Sequence, residues 1–430
     1  MQAEFCNLDS IPVGPLGIIP MASCSELGKK VDKHLVSWRH EREHAQKRSV
    51  ALKEYEKESY VINAKVPRFG SGEAKGIITE SVRGDDLYIL VDVCNYSLTY
   101  SLSGHINHMS PDDHYQDLKR IIAAAEGKAK RINVIMPFLY EGRQHKRNGR
   151  ESLDCALALQ ELTKMGVDNI ITFDAHDPRV QNAIPLIGFD TFMPTYQFLK
   201  AIIDTTPDFR IDSDHLMIIS PDEGAMGRAV YFSTILGVDM GMFYKRRDYS
   251  VIVNGKNPIV AHEFLGSSVE GKDVVIVDDM ISSGESMLDV AKQLKDRKAR
   301  RVFVCTTFGL FTDGFEKFDE FYEKEYIYKV ITTNLNYRDP ELLTKPYYVE
   351  ADMTKFTASI MDSLNHDISI EPIISPTGKI QKLLKKIQKY YKHYIKKTGC
   401  DKPVFSIIYI NFHRIIRNAA RFPRRPCEAL

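Results

Sequence analysis

No two of the seven cysteines stand in a CxxC pair, and they lie scattered along the 430 residues. Neither a disulfide framework nor a zinc ribbon is written into such a chain, and a reducing, cytoplasmic setting is the expectation. Long hydrophobic runs are missing too: none approaches the roughly 18 to 20 apolar residues that a bilayer-crossing helix needs. The apolar stretch at 11–22 (IPVGPLGIIPMA) is broken by Pro and Gly and lacks a basic leader, which speaks against a signal peptide. Net charge is also scarce, with 58 Lys and Arg against 57 Asp and Glu, so no specific nucleic-acid partner is expected. What remains is ordinary: 43% hydrophobic and 27% charged residues, in a chain long enough for two or three domains with cores of their own. The charge balance hides an asymmetry. From Pro376 onward there are 14 Lys and Arg against 2 Asp and Glu, leaving 44 against 55 before it, so an acidic body carries a basic tail.

Residues 25–59 read as a helix, because Leu27, Val31, Leu35 and Trp38 recur at helical spacing among charged residues, with Ser25 as a cap. Its expected role is packing against the body. From Val61 onward, short β-rich runs alternate with helical stretches. Strands are expected at 87–93, 132–137 and 169–173, with helices near 112–127 and 151–165. The grammar then repeats, with strands at 215–219, 273–278 and 301–307 and helices at 225–236 and 285–298. Such alternation implies βαβ units and a parallel sheet. Two α/β domains in tandem, joined near 195–212, are the economical reading. A basic amphipathic helix follows at 380–397, with Ile380, Leu383, Ile387, Tyr390 and Tyr394 near heptad spacing, and 404–416 is apolar and β-branched.

Four stretches could carry chemistry. In "VVIVDDMISSGES" (Val274 to Ser286), two aspartates end an apolar strand before a turn rich in Ser and Gly that opens a helix. Free amides and hydroxyls at such a helix start suit a phosphate, while adjacent carboxylates suit sugar hydroxyls or a divalent cation; together they ask for a phosphorylated sugar. A polar turn closing a buried strand is the plain alternative. "FDAHD" (Phe173 to Asp177) ends another strand, and His176 there is a metal ligand, a phosphate contact or a structural histidine. "SPDEGAMGR" (Ser220 to Arg228) sets Asp222 before a Gly-containing turn, and "YKRRD" (Tyr244 to Asp248) concentrates cations that are either solvated surface or charge for phosphoryl transfer. Gly266 to Lys272 has P-loop spacing, but Asp273 replaces the Ser or Thr and the stretch precedes a strand, so it is set aside.

Taken together these stretches resemble the ribose-phosphate diphosphokinase family, also called phosphoribosyl pyrophosphate (PRPP) synthetases. "RFGSGEAKGIITESVRGDDLYIL" (Arg68 to Leu90) resembles the family's nucleotide hairpin, "INVIMPFLYEGRQHKR" (Ile132 to Arg147) its Arg-Gln segment, and the order of all the stretches matches over about 61–365. The resemblance implies two tandem phosphoribosyltransferase-like (type I) domains, each a mainly parallel sheet flanked by helices. It divides the chain into an N-terminal extension (1–60), a nucleotide-side domain (61–200), a domain with the ribose-phosphate loop (201–370) and a basic tail (371–430). It implies transfer of the diphosphoryl group of ATP to the C1 hydroxyl of ribose 5-phosphate, giving PRPP and AMP with Mg2+. Lys245 and Arg247 would stabilise the transferring group; Asp278 and Asp279 would bind the ribose hydroxyls, with Arg247 also on the sugar phosphate; Ser282, Ser283, Gly284, Glu285 and Ser286 would cradle the 5-phosphate. His176 and Asp222 would hold the metal. Phe69, Ser71, Gly72, Glu73, Arg143, Gln144 and His176 would line the ATP site.

The chain departs from the family's pattern at Ser71, His145, Ala225, Ser282 and Glu285. The last puts a carboxylate beside the phosphate cradle, harmless if it points outward and costly if inward. A regulatory relative without catalysis and a PRPP-consuming phosphoribosyltransferase are the alternatives; the latter predicts a single α/β domain. The resemblance implies a homo-oligomer, dimers assembling toward a hexamer. The basic tail would contact an acidic surface, a membrane, nucleic acid or another subunit, or simply pack its apolar stripe on the body or on a neighbouring subunit.

Overall fold

The computed structural model describes residues 10–46, 55–247 and 259–385, without the side chains of 43–46, 245–247 and 259–262. The first half centres on a sheet of five parallel strands, in the order β1 (Leu16–Pro20), β4 (Asp86–Leu90), β7 (Arg131–Ile135), β8 (Asn169–Phe173) and β9 (Gly188–Phe192). Two small ribbons project from it: β2 (Ala64–Lys65) with β3 (Ile77–Ile78), and β5 (Thr99–Leu102) with β6 (His105–His108). The second half holds a seven-stranded sheet in the order β12 (Ile259–Leu265), β11 (Asp239–Arg247), β10 (Leu216–Ser220), β13 (Asp273–Ile281), β14 (Arg301–Gly309), β15 (Lys329–Thr333) and β16 (Tyr348–Ala351). All its pairings are parallel except β11 with β12.

Helices cover both sheets on both faces, so the strands read as continuous apolar runs and consecutive residues serve opposite cores. In the first half, Leu87 and Ile89 face α2 (Pro111–Ala124) and α3 (Asp154–Lys164), while Tyr88 and Leu90 share a core with α1 (Ser25–Gln46) and α8 (Thr354–Asn365). In the second, Val274 and Ile276 face α6 (Glu285–Asp296) and α7 (Glu316–Glu323), and Val275 and Val277 face α4 (Thr195–Thr205) and α5 (Met226–Leu236). Start signals are local: Ser110 and Asp113 form a reciprocal capping box ahead of α2, with Pro111 at its first position.

The chain crosses back at its end. α8 follows the second sheet yet packs on α1 of the first half, where Arg39 Nη2 donates to Asn365 Oδ1 at 2.6 Å and Arg42 pairs with Asp362. Buried ions of this kind hold only because each has its partner.

Several boundaries differ from expectation. Within the expected extension of 1–60, the described residues join the first half: β1 pairs with β4 in the main sheet, and Leu27, Val31 and Leu35 of α1 lie in its core. The Pro and Gly flanks disguise a five-residue strand whose buried positions need no alternation. Ser25 is the first residue of α1, not its cap, and 55–59 is not helical. The stretch 195–212, expected as a linker, contains α4, which belongs to the second sheet through Phe198, Leu199 and Ile202. The strand at 273–278 runs on to Ile281, through both aspartates. Residues 377–385 are helical, with Ile380 buried and Leu383 packed beside it in the core shared with α4 and α5, so the tail begins by docking on the body. Ile387, Tyr390, Tyr394 and 404–416 lie outside the described residues. β9, β11, β12, β15, β16, α7 and α8 were not among the expected elements.

Candidate functional site

The strand order of the second sheet reverses at β10. The chain leaves β10 through α5 on one face and leaves β13 through α6 on the other, so the loops after these neighbouring strands part. A crevice at the carboxyl ends of the strands is the usual ligand position in such sheets. Asp278 and Asp279 stand there, near the end of β13, with the Asp279 amide donating to Asp278 Oδ1 at 2.9 Å. Ser282 and Ser283 follow, half-buried, and Gly284 precedes α6 at φ 84°. Only glycine fits at 284: besides that left-handed backbone, a Cβ would come within 2.4 Å of Phe318 Cζ. No side chain caps α6, so its first amides and dipole face outward among hydroxyls. Glu285 does not intrude. Its carboxylate turns to the surface and pairs with Lys317 at 2.6 Å.

The first half closes one wall of this crevice. After β8 the chain presents Asp174, Ala175 and His176, and His176 Nδ1 lies 2.5 Å from Asp279 Oδ2. Arg228, near the start of α5, donates from Nε to Asp174 Oδ1 at 2.6 Å and lies 3.6 Å from Asp279 Oδ2 through Nη2. Thr307 Oγ1 donates to the other Asp174 oxygen, Oδ2, at 2.6 Å. Asp174 itself sits at φ 43°, a left-handed conformation that Asp tolerates better than most residues. Across the joint, then, two carboxylates share one guanidinium, an imidazole and a hydroxyl. Burial raises the Asp278 carboxyl well above the usual range, and the charge on Asp279 adds to this. Burial alone would raise Asp279 as well, but the His176 hydrogen bond and Arg228 outweigh it and hold that group below the ordinary value. The two carboxyls of the pair are thus pushed in opposite directions, as expected when two acids share a site.

Other expected residues are distributed unevenly. Arg143 is exposed and lines a small cavity at the joint with Phe138, His176, Asp279 and Phe308. Gln144 Nε2 donates instead to Ser152 O at 3.0 Å. His145 sits beside His176, ring centroids 5.3 Å apart, with Nε2 3.5 Å from Asp177 Oδ2. Asp222 closes a tight turn, its Oδ1 accepting from the amides of Gly224 at 2.9 Å and Ala225 at 3.2 Å. His176 and Asp222 are not gathered into a ligand cluster: among the described residues no group of three or more His, Cys, Asp or Glu side chains is placed to hold a metal ion. Lys245 and Arg247 end β11 past its pairing with β10, in the ribbon formed with β12; their side chains lie outside the described residues. Phe69, Ser71, Gly72 and Glu73 form a hairpin tip whose neighbouring Arg68 pairs with Asp117 of α2, and no described contact ties it to the joint.

Arg228, Asp174 and Thr307 had no assigned role in the sequence. Two of them flank His176 and Asp222 in stretches that already drew notice, but their pairing spans 54 and 133 residues and is a product of domain docking.

Residues 16–166 match the family model described as the N-terminal domain of ribose phosphate pyrophosphokinase, and 197–342 match the phosphoribosyl transferase domain. The ribose-phosphate pyrophosphokinase of Corynebacterium efficiens is 30% identical over 249 residues, covering 57% of this chain and 69% of that protein. That of Mycoplasma genitalium is 29% identical over 268 residues, covering 62% and 73%. In structure, the phosphoribosylpyrophosphate synthetase of Mycobacterium smegmatis superposes with a TM-score of 0.64 at 22% identity, over 82% of this chain and 99% of that one, which agrees with two tandem phosphoribosyltransferase-like domains. With both domain models matched in order around one joint, the chain belongs to the ribose-phosphate pyrophosphokinase family.

Proposed function

We propose that this chain makes PRPP, transferring the diphosphoryl group of ATP to the C1 hydroxyl of ribose 5-phosphate with release of AMP. The observation that carries the reading is the pairing of Asp278 and Asp279 with the uncapped start of α6, at the point where the strand order reverses. The carboxyls accept from the ribose hydroxyls, and the amides and hydroxyls of Ser282 to Ser286 hold the 5-phosphate. Held at both ends, the sugar presents its C1 oxygen toward the joint. Phosphoryl transfer asks for positioning and charge neutralisation more than for a proton-transfer base. Lys245 and Arg247, on the ribbon beyond β10, supply that charge, and Arg143 with His176 borders the nucleotide phosphates.

A divalent ion fits this donor set in one respect. Asp279 engages His176 Nδ1, which fixes the ring and leaves Nε2 as the remaining nitrogen, the kind of contact that orients metal-ligating imidazoles. His176 and Asp222 would each offer a ligand, with substrate oxygens and water completing the shell, as suits Mg2+. Such an ion supplies neutralisation of the phosphate charge. The hairpin of Phe69 to Glu73 serves ATP most simply if a second copy of the chain brings it to the joint, in keeping with a homo-oligomer. The tail, cytoplasmic and basic in this reading, contacts an acidic surface, a membrane or another subunit; among the described residues no helix is long and apolar enough to cross a membrane.

Phosphorus NMR of the protein with Mg2+, ATP and ribose 5-phosphate tests this. AMP and a diphosphate at C1 are expected, and Lys245→Ala should lose about 10²-fold or more in rate. ADP as product would overturn the reaction class. Binding of ribose 5-phosphate without turnover would establish the regulatory relative instead.

A further inference from the structure

The hairpin at 68–74 is slight. β2 and β3 contribute two residues each, and an isolated two-stranded ribbon is marginal in water. The Phe69 amide donates to Glu73 O at 2.7 Å and the Gly72 amide to Phe69 O at 2.9 Å, which closes the tip but does not aim it. A second hairpin does that. β5 and β6 are joined by Ser103 and Gly104, with φ of 49° and 82°, the two-residue turn whose twist matches its strands. Three contacts join the two tips. The Arg68 guanidinium lies 4.8 Å from the Tyr100 ring centroid while its Nη2 donates to Asp117 Oδ2 of α2 at 2.9 Å. The Ser103 amide donates to Gly70 O at 2.9 Å. Leu102 lies so close under Gly72 that a Cβ there would come within 2.7 Å of its Cδ1.

We propose that the β5–β6 hairpin is a brace for the 68–74 tip, with Tyr100 and Leu102 as positioning residues for a purine nucleoside triphosphate. The inference rests on the nucleotide reading of that tip. Arg68, neutralised on one side by Asp117 and covered on the other by Tyr100, has few rotamers left, so the strand that carries Phe69 leaves α2 in one direction. Phe69, the next residue in the chain, is 53% exposed and so available to a ligand. Without the brace the tip is free to move, and nucleotide binding then bears the cost of ordering it. The sugar site shares none of these contacts.

Calorimetric titration of Mg·ATP into the full chain, with KM values for both substrates, decides the matter. Tyr100→Ala should weaken ATP binding roughly fivefold, the loss of one partly exposed cation–π contact, and leave the KM for ribose 5-phosphate within about twofold. Leu102→Ser should act in the same direction, and Tyr100→Phe, which keeps the ring, should bind ATP as the unaltered protein does. Faster amide exchange at Phe69 and Gly72, with α2 unchanged, is the expected structural counterpart in Tyr100→Ala. If Phe69→Ala weakens ATP while Tyr100→Ala and Leu102→Ser do not, the brace is overturned and the nucleotide reading stands. If Phe69→Ala leaves ATP affinity unchanged, the nucleotide reading of the tip falls and the brace with it. Equal rises in both KM values, or a Tyr100→Phe protein as weak as Tyr100→Ala, would also overturn the proposal.

Discussion

The two sheets obey one construction rule and end with different capacities. In the first, α2 and α3 cross the same face, and the strand order β1-β4-β7-β8-β9 never turns back. In the second, α5 and α6 cross opposite faces of neighbouring strands, and the loops after β10 and β13 separate into a crevice. A parallel sheet flanked by helices is therefore not in itself a site; the crevice comes from which face each crossover takes. The first half contributes the end of β8, with Asp174 and His176, and the segment after β7, with Phe138 and Arg143, as a wall.

Arg228→Met would break this comparison hardest, because the guanidinium is what both halves share. It leaves Asp174 and Asp279 facing each other without a cation, and a loss of about 3 kcal/mol in unfolding free energy is expected. Urea unfolding measures it, and Asp174→Asn added to Arg228→Met should restore part. No loss would mean that this guanidinium contributes nothing net to joining the halves.

A smaller effect separates the halves by pH. Asp92, buried in the first half, accepts from the Cys94 amide at 2.9 Å and the Tyr337 amide at 2.6 Å, yet burial pushes its carboxyl up to about 7. Its protonated form is the one the fold favours, so its contribution is full below the ordinary carboxylate range and is lost as pH rises toward about 7. Asp279 runs the other way: held low by His176 and Arg228, it contributes at neutral pH and loses that contribution as pH falls through the acid range. Denaturant midpoints taken between about pH 4 and pH 7.5 should flatten on the neutral side in Asp92→Asn and on the acid side in Asp279→Asn.

The smallest effect is expected at Glu285, since its side chain is turned from the cradle to Lys317. Glu285→Gln should change the KM for ribose 5-phosphate by less than about twofold, because exposed pairs contribute little. A larger change would place the carboxylate inside the cradle and undo the reading of α6 as an open anion site.

Legibility in the sequence followed the range of the forces involved. Helices α2, α3, α5 and α6 were readable because helical signals act locally, the capping box ahead of α2 among them, and β7, β8, β10, β13 and β14 because buried parallel strands are dense in Val and Ile. β1 was hidden by its Pro and Gly flanks, and α4 was lost in what looked like a connection. The acidic pair and the Ser-Gly turn stood out, since unusual residue types at a strand end carry their own signal. Arg228 and Thr307 did not, because their meaning depends on a partner more than fifty residues away.

The sequence by itself determined local choices: where a helix such as α2 begins, and that an acidic pair and a Ser-Gly turn follow an apolar strand. Tertiary structure alone decided that β1 and α8 belong to the first half, that the 68–74 tip leans on a second hairpin, and that one buried arginine joins Asp174 to Asp279. Local rules act within a few residues of chain, whereas docking two cores brings together groups that share no neighbourhood until apolar faces exclude water between them.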